Sequence, residues 1–128
     1  MAGRWSDEDG VIASQLAVLM PALLMLLMLA VQFGLWAHAS QLARAAADEA
    51  AYIAALPEAT EQAGRAAAAG LLTQAGNLTA VTITVDGQPD TVVATVTGVA
   101  PQVVPGFRWS VSATAAAPVE RFIPQGQR

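Results

Sequence analysis

The sequence predicts an α+β chain: an N-terminal transmembrane helix that extends into a helical stem, a second helix, then a three-stranded antiparallel sheet. Three observations predict it. No charged residue occurs from Gly10 to Ala37, and the middle of that run, Leu16 to Val31, is almost wholly apolar. An alanine-rich stretch of strong helix formers follows it. Beyond Asn77 the hydrophobic period changes to two, as a half-buried strand requires.

The apolar run sets the frame. A bilayer core of about 30 Å is crossed by about 20 mostly apolar helical residues, and Val11 to Ala37 exceeds that length. Pro21 lies near the start of the span, where a missing N–H costs least. The segment does not read as a cleaved secretory signal. Ala37-His38-Ala39 has the small-x-small form of a signal peptidase site, but the run is longer than an h-region of about 7–15 residues. Its start, Met1 to Gly10, also carries one arginine and three acids where a positive region belongs. Arg4 on one side of the span faces Arg44 on the other, so the arginine bias does not fix orientation.

Past Ala37 the chain suffices for one small domain, near the lower size limit of a self-sufficient core. Few aromatics and many alanines predict that it leans on a partner. From Trp36, placed where an interfacial aromatic belongs, the helix is expected to run through Ser40 to Leu56. Leu42, Ala45, Ala46, Ile53 and Leu56 recur near helical spacing, with Glu49 on the same stripe. Pro57 breaks this rod and is expected to open a second helix at Glu58. That helix runs through Ala63, Ala66, Ala67 and Leu71 to a stop at Gly76-Asn77, with Gly64 and Gly70 weakening its middle.

The strands follow. Val81, Ile83 and Val85 alternate with Thr82 and Thr84, and Asp86 to Asp90 forms a turn. Val92, Ala94 and Val96 share one face of the next strand. After a loop at Pro101 to Gly106, Trp109, Val111 and Ala113 share a face of the third. Short connections make this an antiparallel meander with one face packed on the helices. The expected division is residues 1–10, 11–37, 38–76, 77–117 and a loose tail at 118–128.

Composition excludes several functions. The net charge is −4, from ten acids and six bases, all of them arginine, so no basic stripe for nucleic acid exists. With no cysteine, disulfide and thiolate chemistry are closed. His38 is the single histidine and falls just past the span. Asp48 and Glu49 are adjacent and point about 100° apart on a helix, poor geometry for a carboxylate dyad. Asp86 and Asp90 lack the alternating oxygen ligands of a calcium loop, and Ser110 and Ser112 have no general base at readable spacing. Asn77-Leu-Thr79 has the form of a glycosylation acceptor but reads as a helix stop. No enzyme, metal or cofactor is expected.

Finer residue order carries a resemblance. Gly10-Val-Ile-Ala-Ser-Gln15-Leu-Ala-Val-Leu-Met-Pro21 resembles the start of TadE-like pilus assembly proteins, the minor pseudopilins of the tight-adherence (Flp) system, of actinobacterial type. Val31-Gln-Phe-Gly34 resembles that family's acid–aromatic–glycine ending of the helix. Downstream, Val81 to Val85, Val92 to Gly98, Val104-Pro-Gly106, Ser110 to Thr114 and Ala117 to Phe122 follow its usual tail. The resemblance implies a pilin-like layout, with residues 1–10 as a cytoplasmic leader cut by a prepilin peptidase between Gly10 and Val11. It also implies an extracytoplasmic domain on a single-pass helix in the cell membrane, packed in lipid around Pro21 and Gly34. The implied partners are the bilayer, other pilin-like subunits, the assembly platform and the peptidase.

One position departs from the pattern. Gln15 replaces the family's glutamate, and Leu16 the aromatic that follows it. That glutamate is implied to pair with the free amine of a neighbouring mature N-terminus. In lipid such a pair is charge-assisted, whereas an amide supplies only a neutral acceptor. Two outcomes stay open: a filament subunit that associates weakly with its own kind, or an anchored adaptor or sensor domain outside any filament.

Overall fold

The computed structural model describes residues 3–121 and residue 126. Helix α1 spans Gly3–Ala55, 53 residues without interruption, or about 80 Å at 1.5 Å per residue. Pro21 lies inside it without ending it. Helix α2 spans Glu61–Ala75, and strands β1 (Thr79–Gly87), β2 (Thr91–Val99) and β3 (Ser110–Pro118) form one antiparallel sheet in the order β1-β2-β3. This is the expected α+β arrangement. Helix already runs through residues 3–10, so Gly10 marks a change in composition and not a break in the backbone.

The outer half of α1 is the spine of the small domain. Its buried face is made of alanine: Ala39, Ala43, Ala46, Ala47, Ala50 and Ala54 are buried, with Ala51 and Ala55. This corrects the expected stripe. Ala46 lies on the buried face, but Ala45 is exposed and Leu42, Ile53 and Leu56 are only partly covered. Alanine wins because a second helix and a sheet must both approach one helix closely. The sheet answers with small residues of its own, Ala94 on β2 and Ala113, Ala115 and Ala117 on β3.

The start of α2 also differs from expectation. The chain turns through Leu56 to Ala59, with Glu58 at φ 63°, and Thr60 is the N-cap. Its hydroxyl accepts the Ala63 N–H at 3.1 Å, satisfying one of the donors that a helix start leaves free. Pro57 therefore ends one helix without opening the next. The stop at Gly76 is as expected, with φ 67° and its N–H donated to Leu72 O at 3.0 Å.

The buried face of α2 is Gly64, Ala68 and Leu72; Ala63 and Ala66 are exposed. Gly64 is a point of contact and not a weak link. A Cβ built there would lie 2.5 Å from Ala50 O and 2.9 Å from Ala54 Cβ, so only glycine allows this approach. Glu61 ties the same helix to the sheet, accepting the Gly87 N–H at 2.9 Å.

In the sheet, Ile83 pairs with Val96, Val85 with Ala94, and Val96 with Ala113, which places the apolar residues on the face toward the helices. The opposite face carries Thr82, Thr84, Thr95, Thr97 and Thr114, and Thr95 and Thr114 share a hydroxyl hydrogen bond of 3.2 Å. The first residues of the expected loose tail are tied down. Val119 N–H donates to Asp90 O at 3.0 Å, and Glu120 N–H to Ala55 O at 3.1 Å, occupying a carbonyl at the end of α1. Arg121 donates to Pro89 O and to Asp90 Oδ1. The remainder of that tail, Phe122 included, lies outside the described residues apart from Gly126.

Candidate functional site

The inner part of α1 has almost no cover from its own chain. In its most apolar 18-residue window only 6% of residues are buried, so this is not the core helix of a globular domain. Leu23, Leu24, Met25, Leu26 and Leu27 are each more than half exposed. A continuous apolar surface of that length needs lipid or another apolar helix around it. Among the described residues it is the one helix long and apolar enough to cross a membrane.

The site residues expected from sequence lie along this bare rod. Gly10, Val11 and Gln15 are all exposed within continuous helix. Nothing approaches within 4 Å of where a Cβ would stand at Gly10 or Gly34, so neither glycine serves packing inside the chain. Gly34 leaves an open, flat place on the helix surface for a neighbour. Pro21 borders an apolar groove. The candidate polar residues are not gathered into a centre. His38, Asp48 and Asp86 are exposed, and Asp90 is held by Arg121. Among the described residues no group of three or more His, Cys, Asp or Glu side chains could hold a metal ion.

The structure adds a residue to which sequence reasoning gave no such role. Gln32 is fully buried, although it sits on α1 at the end of the apolar run. Its Nε2 donates to Pro101 O at 2.9 Å. Its Oε1 accepts the N–H of Val103 at 2.7 Å and that of Val104 at 3.2 Å. One amide thus fastens the β2–β3 loop, residues 100–109, to the helix. Four residues further on, Trp36 Nε1 donates to Ser110 O at 3.3 Å, while its ring lies 5.7 Å from that of Phe33. Held there, the loop descends along α1 toward its apolar segment. Val104, Pro105 and Phe107 then stand across a groove from Pro21, Leu24, Met25, Met28 and Leu29. A usable signal existed: Gln32 is the single side-chain amide, hydroxyl or charge between Leu16 and Ala37.

These features define a class: an α+β domain with its sheet laid on the outer half of one helix, the inner half of which is built for an apolar surrounding. Residues 10–51, all within α1, match the family model of TadE-like protein. The match covers the part of the resemblance that lies on α1 and stops short of the sheet. No curated protein and no solved structure matches the chain.

Proposed function

We propose that this chain is a membrane-anchored minor pseudopilin that takes part in assembling a tight-adherence (Flp) pilus. The carrying observation is the TadE-like match, which covers the bare apolar half of α1 and runs into its alanine-lined half. In this reading α1 crosses the cell membrane once. Residues 1–10 are a cytoplasmic leader, and the sheet domain stands outside. The protein works by helix packing: the uncovered surface from Val11 to Val31, opened at Gly34, meets other pilin-like subunits and the assembly platform. It performs no catalysis.

A prepilin peptidase would cut between Gly10 and Val11. The intact mass of the chain extracted from membranes of cells with an active prepilin peptidase tests this, and a species beginning at Val11 is expected. A full-length species would defeat the processing step. It would favour the second reading, an anchored extracytoplasmic adaptor or sensor, to which Gln15 lends weight. An amide at that position accepts a hydrogen bond from a neighbour's amine but cannot neutralise it.

A further inference from the structure

The β2–β3 loop reaches alongside a part of α1 that a membrane would enclose. About 20 helical residues counted from Val11 place the far edge of the hydrocarbon near Val31. The groove residues Leu24 to Leu29 lie two to seven residues before that edge, or roughly 3–10 Å inside it at 1.5 Å per residue. We infer that the tip of the loop, Val103 to Phe107, is a second membrane contact: a wedge immersed in the leaflet on the domain's side, with lipid acyl chains filling the groove between Phe107 and Met25. The inference rests on α1 spanning the bilayer.

The chemistry of the loop supports this placement independently of its depth. Hydrocarbon offers no partner to backbone N–H and C=O groups, so irregular backbone survives at membrane depth only where protein satisfies it. Pro101 and Pro105 have no N–H to satisfy. The fully buried Gln32 takes the Val103 and Val104 N–H groups and serves the Pro101 carbonyl. Gln102, the one polar side chain from Pro101 to Phe107, donates its Nε2 to Phe107 O at 2.6 Å. Phe107 and Val103 stand outward, 66% and 40% exposed, beside an exposed Gln102 whose amide is turned back on the loop. The buried amide withdraws two of the loop's N–H groups and one carbonyl, and the phenyl ring at the tip is left bare. Arg108 follows the tip, where a long stem lets its charge reach the headgroups. Trp36 lies about 7 Å beyond Val31, at the level an interfacial indole takes.

The chain has no cysteine, which makes the test direct. Single cysteines replace Phe107, Val103, Val18 (mid-span) and Thr114 (open sheet face) in the full chain, and each is spin-labelled in phosphatidylcholine vesicles. Accessibility to oxygen is compared with accessibility to a water-soluble nickel chelate. Labels at Phe107 and Val103 should resemble Val18, rich in oxygen and poor in nickel, and unlike Thr114. A lipid reading at Val18 with an aqueous one at Phe107 overturns the wedge alone. Aqueous readings at both overturn the span and the wedge with it. Protection of Phe107 from both reagents also overturns the inference, since a protein surface then covers the tip.

Discussion

Replacing Gln32 by leucine removes the amide while keeping a side chain of similar size, and the structure fixes what is lost. Two N–H donors and one carbonyl, at 2.7, 3.2 and 2.9 Å from the amide, lose their partner together. An orphaned buried group costs about 1–3 kcal/mol. Because Val103 is partly exposed, some of the loop's polar groups can turn outward, so Gln32→Leu should destabilise the loop's attachment by about 2–4 kcal/mol. Hydrogen exchange of residues 101–108, measured in bilayer nanodiscs, reads this locally. The Val103 and Val104 amides should exchange 30-fold or more faster, while those of Val85 and Val96 in the sheet change little. Gln32→Glu separates the two halves of the clamp: a carboxylate still accepts both N–H groups but cannot donate to Pro101 O, so the faster exchange should be partly reversed. Unchanged exchange at Val103 and Val104 in Gln32→Leu would refute the clamp.

Three further outcomes follow from other parts of the structure. Gly64→Ala should force α2 away from Ala50 and destabilise the domain by about 1–3 kcal/mol, the usual cost of overpacking; denaturant unfolding of the full chain in micelles checks this, and a neutral result would contradict the close approach. Leu26→Arg should cost about 2.5–3.5 kcal/mol of insertion and lower the fraction retained in alkali-washed membranes. Gln15→Glu should increase self-association in the membrane, read by crosslinking between copies, because a carboxylate can neutralise a neighbouring Val11 amine; abundant homopolymers insensitive to that change would contradict the role given to this position.

Much of this was legible because it is local. The charge-free run and the two-residue alternation of Val81 to Val85 each announce their element in a few consecutive residues, and Gly76 supplies its own stop. The start of α2 was readable too, but Pro57 is the louder signal and Thr60 the true cap. Alanine misled for a physical reason: periodicity weighted toward Leu42 and Ile53 finds bulk, whereas close packing of α1 selects the smallest residues, and Gly64 reads as a defect until Ala50 is seen beside it. Gln32 stands out in the apolar run, but the partners of its clamp were beyond reach, since they lie 69 to 72 residues away and an amide names none of them. Descent of the β2–β3 loop along α1 follows from that clamp and was hidden with it.

Whether this helix works among pilin-like helices in a membrane is read from its neighbours. A photoreactive residue placed at Ile12, in the first turn after Gly10, should be crosslinked in living cells that carry the chain's own assembly system, and the adducts identified by mass spectrometry. Adducts to pilin-like subunits or to membrane proteins of the assembly platform are expected. A membrane-retained chain that yields adducts to lipid alone would contradict it.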